Sequence, residues 1–277
     1  MNPQTGKNTS IEKQERLLAG LRSMRSVIVA FSGGADSAFL AWAAQRALGE
    51  NALAVTALSP SFSEYDRERA ASFARDWALR HEFIATREIE NPLYVANQPD
   101  RCYHCKDELF GELGKLRAAR GFATVAYGVN ADDLGDFRPG HRAAREHDVA
   151  TPLLDAGLTK SEVRELSRNA GLSTWDRPAS ACLASRIPYG NPVQVEELAR
   201  IERAESVLRE MGFAQFRVRA HGSLARIEVS PEELPRALRL DLVQTMAARL
   251  RQAGFTYVTL DLEGYRQGSL NDVLKVI

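Results

Sequence analysis

The sequence predicts an α/β protein with a doubly wound, mostly parallel sheet, followed by a smaller C-terminal α+β domain. A β-branched apolar run at 27–31 leads through two glycines into an apolar helical segment. Strand and helix patterns then alternate, as they do in parallel sheets. Beyond residue 192 the pattern changes to helix, two strands, helix and strand. A chain of 277 residues is long enough for two such domains.

The elements follow in order. In the first half, strands are predicted at 26–31, 52–58, 83–89 and 123–129, and helices after Asp36 and at 64–80, 106–120 and 159–170. The last helix begins with the capping box 159–162. Further on, helices are predicted at 194–211 and 231–253, and strands at 213–219, 224–229 and 257–262. We place the domain boundary near Pro192, at the end of a turn-rich stretch, which gives domains 1–192 and 193–277. Residues 1–10 are expected to form a disordered polar tail.

The bulk composition is that of a cytoplasmic enzyme. The 36 basic and 36 acidic residues give a formal net charge of zero, which argues against nucleic acid or an anionic membrane as a partner. The polar N-terminus lacks the apolar core of a signal peptide, and no apolar run approaches the roughly 20 residues of a membrane span. Three cysteines are an odd number for a disulfide framework, so metal binding or catalysis explains them better.

The glycine-rich turn at 32–37 predicts an anion site. Two glycines let the backbone approach a ligand, and the first helical turn directs its unpaired amides and positive dipole end outward. The turn lacks the lysine of a Walker P-loop. It resembles instead the PP-loop of ATP pyrophosphatases, which split ATP to AMP and pyrophosphate while adenylylating a substrate oxygen. The resemblance implies that the PP-loop holds pyrophosphate through Ser32, Gly33, Gly34 and Ser37 and places Mg²⁺ through Asp36. The alternative is an ordinary helix with a glycine turn and an acidic cap.

Polar residues also follow other predicted strands. Because parallel strands end at one sheet edge, the loops at 59–61 and 128–130 should face the same crevice as the PP-loop. Three acidic residues follow the fourth strand and can contact Mg²⁺ or the nucleotide, namely Asp132, Asp133 and Asp136. Of these, we assign Asp132 to ATP binding. A solvated acidic loop is the alternative.

The three cysteines form a second constellation. Cys102 and Cys105 have a spacing that lets both thiolates reach one metal, and Cys182 lies far along the chain. A cubane iron-sulfur cluster held by three cysteines leaves one iron open to an external sulfide. Structural zinc with His104 or another fourth ligand, a redox pair, and three unrelated thiols remain alternatives.

Together with the PP-loop, the R-C-Y-x-C-K segment at 101–106 and the P-A-S-x-C-L-A-S-R segment at 178–186 resemble the LarE family of sulfur transferases. Supporting segments of the same family lie at 128–133, 136–140, 151–154 and 158–160. The resemblance implies that ATP activates the two carboxylates of a pyridinium mononucleotide and that sulfur converts them to thiocarboxylates. This chemistry belongs to nickel-pincer cofactor synthesis and lactate racemase maturation. A sulfide donor and a homo-oligomer are also implied.

Two versions of the sulfur step follow from the resemblance. In one version, Cys182 surrenders its own sulfur and the protein is consumed. In the other, Cys102, Cys105 and Cys182 hold a [4Fe-4S] cluster whose extra sulfide is donated, and the protein turns over. Because all three cysteines are present, we favour the cluster version.

Basic residues near Cys182 and in the C-terminal domain are candidates for binding the substrate. Ser185 and Arg186 follow Cys182 closely, so they can hold a substrate phosphate or carboxylate. Arg217 and Arg219 alternate with apolar residues and share one strand face. Alternation alone predicts a solvated face, whereas the resemblance implies phosphate binding. Further candidates with undefined roles are Trp175, Glu205, His221 and Glu228.

Three other functions stay open. A tRNA thiolase shares the PP-loop and a three-cysteine cluster, but it needs an electropositive RNA surface. An amide-forming synthetase uses ammonia and leaves the cysteines unexplained. A non-enzymatic cluster carrier keeps the anion site and the thiols without sulfur transfer.

Overall fold

The computed structural model describes residues 3–135, 139–178, 180–266 and 268–270. The chain divides into two compact units. The first unit comprises 1–88 and 100–180, and the second comprises 89–99 and 181–277. The domain boundary near Pro192 stays a prediction.

The helices and strands of the described residues are as follows. The helices are α1 Pro3–Ser23, α2 Ala35–Leu48, α3 Glu64–Asp76, α4 Pro92–Val95, α5 Arg101–Arg120, α6 Gly140–Glu146, α7 Pro152–Asp155, α8 Lys160–Asn169, α9 Val195–Glu210, α10 Leu234–Ala237 and α11 Leu240–Gln252. The strands are β1 Val27–Ala30, β2 Ala52–Leu58, β3 His81–Ala85, β4 Thr124–Tyr127, β5 Phe216–His221, β6 Leu224–Val229 and β7 Tyr257–Leu260. Short 3₁₀ turns lie at Gly49–Asn51, Glu88–Glu90, Ala131–Gly135 and Leu183–Arg186.

The first unit contains a four-stranded parallel sheet in the order β3-β2-β1-β4. The central strand β1 is buried on both sides. Val27 and Val29 face a core built with α1, α2 and α8, whereas Ile28 and Ala30 face a second core built with α5 and α6. Helices therefore cover both faces of the sheet, which confirms the doubly wound fold.

The second unit contains a three-stranded mixed sheet in the order β5-β6-β7. Strands β5 and β6 are antiparallel, and β7 runs parallel to β6. Helix α9 packs against β5 and buries Leu198, Ile201 and Leu208. This unit supplies the predicted small α+β fold. In the part of the chain described here, no helix is both long and apolar enough to cross a membrane.

Several element boundaries were predicted wrongly. From Pro3 onward the N-terminal residues are not a disordered tail, since α1 begins at Pro3 and buries Leu17 and Leu21 farther along. Helix α5 begins five residues earlier than predicted and so includes the first two cysteines. The long helix predicted at 231–253 is two helices, because the backbone of Arg239 is extended between them.

Candidate functional site

The PP-loop joins β1 to α2 at the carboxyl edge of the parallel sheet. Gly33 has a φ of 74°, and a Cβ there would lie 3.2 Å from the Cβ of Ala70, so both conformation and space require glycine. Gly34 is the N-cap of α2 without a side-chain cap. The hydroxyl groups of Ser32 and Ser37 lie 3.1 Å apart. The first amides of α2, which have no partner within the helix, and the exposed Ser32 hydroxyl are suitable partners for phosphate oxygens. The Ser37 hydroxyl is buried and donates to the Gly34 carbonyl at 3.1 Å.

The loop after β4 lies against the start of α2. A Cβ on Gly128 would lie 2.9 Å from the backbone nitrogen of Ser37, so this approach also needs glycine. The side-chain amide of Asn130 donates to the Asp36 carboxylate at 3.1 Å. Burial raises the pKa of Asp36, opposed by the positive charge of Lys160 and by the Asn130 bond. The net shift of the pKa is upward, so the ionised carboxylate carries a desolvation cost that a bound cation would offset.

Replacing Asp36 by Asn should weaken Mg·ATP binding without lowering the stability of the fold. The raised pKa means that ionised Asp36 opposes folding above its folded-state pKa, so at pH 7 the variant should be at least as stable as the parent. Because Mg²⁺ prefers carboxylate oxygens, Mg·ATP binding should fall by at least about tenfold. Thermal unfolding and calorimetric ATP titration with and without Mg²⁺ measure the two effects. A variant that loses stability and keeps Mg·ATP affinity would show that Asp36 is structural.

Two further acidic residues after β4 bond the backbone. The carboxylate of Asp132 accepts the Lys160 N–H at 2.8 Å and thereby caps the start of α8, and Asp133 accepts the Asn130 N–H at 3.1 Å. Both carboxylates thus help to shape the edge of the site. ATP binding by Asp132 stays a prediction, and Asp136 lies outside the described residues.

Basic residues of α8 near the PP-loop were missed as site residues. The positive charges of Lys160 and Arg164 both lower the pKa of Asp36. Their i,i+4 spacing puts them on one helix face, and this spacing was the available sequence signal. Together they offset the acidic side of the site.

A buried acid beside the end of β2 was also missed. Ser61 donates to the Glu88 carboxylate at 3.1 Å, and its hydroxyl lies 2.9 Å from that of Ser59. Glu88 is buried, and its second oxygen has no partner in the described structure. The sequence placed Glu88 inside a strand, which gave no signal for this contact.

The first two cysteines lie in the first turn of α5. Their i,i+3 spacing puts both thiols on one helix face, with Cys102 exposed and Cys105 half-buried. A Cβ on Gly140, at the start of α6, would lie 3.6 Å from the Cys102 carbonyl oxygen, so α6 packs closely on this turn.

The third cysteine belongs to the second unit. Cys182 is exposed and precedes the 3₁₀ turn Leu183–Arg186. None of the three cysteines is in a disulfide. Among the residues that the structure describes, no three His, Cys, Asp or Glu side chains form a group that could hold a metal ion. The cluster therefore stays a prediction, supported by thiol chemistry and by the shared helix face of Cys102 and Cys105.

The turn after Cys182 is held by two buried ion pairs. Arg186 bonds both oxygens of Glu205 at 2.8 and 2.9 Å, and Arg219 bonds both oxygens of Glu228 at 3.0 and 2.8 Å. Arg219 also donates to the Ser185 carbonyl at 2.8 Å and so joins the turn to β5. The solvated strand face expected from alternation is wrong for Arg219, because its side chain is buried by these contacts.

Electrostatics distinguish the arginines of this cluster. Burial raises the pKa of Glu205, but the charge and hydrogen bonds of Arg186 outweigh it, so the net shift is downward. Burial, followed by the charge of Arg186, lowers the pKa of Arg217. Its guanidinium stacks 5.0 Å from the ring centre of Tyr265. Arg226 also lies 3.2 Å from Glu228 and 3.7 Å from Asp261, so the two buried glutamates are surrounded by arginines.

Comparisons with known proteins show which sequences this chain resembles. Residues 17–119 match the family model of NAD synthase. The chain is 34% identical to the pyridinium-3,5-bisthiocarboxylic acid mononucleotide synthase of Lactiplantibacillus plantarum, covering 96% of each chain. It is 44% identical to an uncharacterized protein of Synechocystis sp., covering 95% of this chain and 98% of that one. An uncharacterized protein of Methanocaldococcus jannaschii is 28% identical, over 87% and 91% of the two chains.

Proposed function

Because this chain belongs to the LarE family, which includes the Lactiplantibacillus plantarum synthase, we propose that it is an ATP-dependent sulfur transferase. Its substrate is pyridinium-3,5-biscarboxylic acid mononucleotide, and its product carries two thiocarboxylates. The reaction forms AMP and pyrophosphate and belongs to nickel-pincer cofactor synthesis.

The first step activates a carboxylate. A substrate carboxylate oxygen attacks the α-phosphorus of ATP, the bond to the β-phosphate oxygen breaks, and an acyl adenylate and pyrophosphate result. The amides and hydroxyls of Ser32, Gly34 and Ser37 stabilise the charge on the departing pyrophosphate. Asp36 suits Mg²⁺, since its half-buried carboxylate lies near the carboxylate of Asp133. Bound Mg²⁺ would neutralise charge on the triphosphate.

The second step transfers sulfur. Hydrosulfide sulfur attacks the acyl carbon, the carbon–oxygen bond to AMP breaks, and a thiocarboxylate and AMP are released. Cys102, Cys105 and Cys182 would hold the [4Fe-4S] cluster. When bound, it supplies an iron position that carries the donated sulfide. The shared helix face of the first two thiols and the absence of disulfides at all three support this assignment.

The substrate phosphate is assigned to the arginine cluster of the second unit. Ser185, Arg186, Arg217 and Arg219 are the proposed ligands. Arg186 and Arg219 already bond carboxylates, so they position the site as well as supplying charge. Arg217 contributes a planar guanidinium beside Tyr265, which suits a phosphate.

The observation that carries the proposal is the PP-loop in a chain whose three cysteines are all outside disulfides. The test is anaerobic reconstitution with iron and sulfide, followed by assay with Mg·ATP, the pyridinium biscarboxylate mononucleotide and sulfide. We expect AMP to form in step with thiocarboxylate, with more than two sulfurs transferred for each chain.

Three other results would revise the proposal. Arrest after one sulfur per chain would indicate sacrifice of Cys182. Amide formation with ammonia in place of sulfide would indicate a synthetase. Absence of AMP in the presence of the pyridinium substrate would overturn the proposed activation.

A further inference from the structure

Arg177 is tied to the PP-loop by its side chain and to α8 by its main chain. Its Nη1 donates a short hydrogen bond to the Gly33 carbonyl oxygen. Its own carbonyl accepts a hydrogen bond from Nη2 of Arg164 at 2.8 Å. Arg177 and Gly33 lie 144 residues apart in the sequence, so this contact exists only in the folded chain.

The Arg177 guanidinium is only partly satisfied. Its Nε is buried and has no hydrogen-bond partner in the described structure. Within the described residues it forms no ion pair closer than 4.0 Å, although Asp66 and Asp176 are near enough to act on its charge. The Asp66 carboxylate is bonded by Ser63 and Ser180.

A second arginine adjoins Arg177. Arg69 lies on α3, next to the alanine that packs against Gly33, and bonds the hydroxyl of Tyr65 at 2.5 Å. Burial first, and then the charge of Arg69, lower the pKa of Arg177. Among the described residues neither arginine has a carboxylate within 4.0 Å, and two neighbouring cations in this state are unfavourable unless an anion joins them.

The Gly33 contact has an electrostatic effect of its own. A carbonyl oxygen beside a phosphate site repels the anion, and a guanidinium bonded to that oxygen offsets the repulsion. The planar guanidinium fork also matches phosphate oxygens. A pyrophosphate group supplies several such oxygens, whereas a single ester phosphate supplies fewer.

We propose that Arg177, assisted by Arg69, binds the β- and γ-phosphates of ATP at the PP-loop and holds the pyrophosphate that leaves. This inference rests on the proposed function, since it assigns new residues to the ATP half of that site. It makes Arg177 a ligand-binding residue in a segment that carried no nucleotide motif.

The test compares affinities for Mg·ATP, inorganic pyrophosphate and AMP by calorimetry in the full chain. Arg177→Gln should weaken ATP and pyrophosphate binding about 10- to 100-fold while changing AMP binding by less than about twofold. Arg69→Gln should weaken the same two ligands by about threefold to tenfold. Arg75→Gln removes an equal charge from the same helix at an exposed position and should change nothing.

If Arg177→Gln fails to fold, the proposal is still tested by two other variants, Arg177→Lys and Arg69→Gln. The lysine retains the charge without the fork, so it should bind pyrophosphate with intermediate affinity. Parent-like pyrophosphate affinity in the Arg177 variants, or equal losses for AMP and pyrophosphate, would overturn this inference and leave the proposed function standing. A parent protein that binds neither ATP nor pyrophosphate would overturn both.

Discussion

Replacing Cys102 by alanine is expected to abolish repeated sulfur transfer while leaving ATP-dependent activation intact. Two remaining thiolates cannot hold a cubane that needs three, so bound iron should fall from about four atoms per reconstituted chain to nearly none. Thiocarboxylate formation beyond the first turnover should fall at least about 100-fold. Cys102 is exposed on α5 rather than in the PP-loop, so pyrophosphate exchange into ATP should continue. Iron analysis, sulfur transferred per chain and pyrophosphate exchange measure the three effects.

His104→Ala is the matched control, because His104 lies in the same helical turn and is the zinc ligand of the competing hypothesis. In the structure its Nε2 lies 3.5 Å from an Asp100 carboxylate oxygen. The variant should retain both iron and turnover. If Cys102→Ala keeps its iron and still transfers one sulfur per chain, the cluster is wrong and Cys182 is the sulfur source. If His104→Ala alone loses metal, the structural zinc hypothesis gains support.

The parallel sheet was predictable because its strands are continuous apolar runs that can be recognised from local sequence alone. The strand predicted at 52–58 has the same bounds in the structure, and β1 differs from its prediction by one residue at each end. Both are apolar runs buried on two faces, and such runs are typical of parallel strands. The pairing of β7 parallel to β6 depends on the path of the intervening helices, which periodicity does not give.

Helix ends were harder to predict where the residues that usually cap or terminate a helix are absent. Helix α3 stops four residues early because Ala78 adopts a φ of 48°, a conformation that glycine usually supplies. Helix α5 begins at Arg101 although Asp100 makes no side-chain capping bond. The capping box of α8 was predicted correctly, since Thr159 and Glu162 both make the expected bonds.

Site residues were likewise predictable where they are adjacent in the sequence and unpredictable where only folding brings them together. The PP-loop is contiguous in sequence, so its residue types and spacing could be recognised together. Arg177 and Glu88 join the site region through contacts made only after folding, and neither has a local pattern. Burial of Arg219 was also unpredictable, because strand alternation does not reveal that the Leu183–Arg186 turn contacts its face.

Replacing Glu228 by Gln is expected to lower the free energy of unfolding by about 3–5 kcal/mol. Glu228 is only 1% exposed, accepts two bonds from Arg219, and lies 3.2 Å from Arg226. Glutamine preserves the shape but removes the charge, so the buried Arg219 guanidinium loses its counter-ion. Urea denaturation at pH 7 measures the change. Asp241→Asn, which neutralises an exposed carboxylate 2.9 Å from Arg239, is the matched control and should leave the midpoint unchanged.

The ion pair also determines how Arg219 can serve a ligand. If Glu228 neutralises Arg219 in the free protein, the Arg219→Met, Glu228→Met double variant should regain much of the stability that the single charge removal costs, since no buried charge is left alone. Substrate phosphate binding would then fall through the loss of a positioning contact to Ser185. If Glu228→Gln costs no more than Asp241→Asn, the pair does not hold the fold. The Arg219 charge would then be available to the substrate phosphate, and substrate affinity should rise in Glu228→Gln.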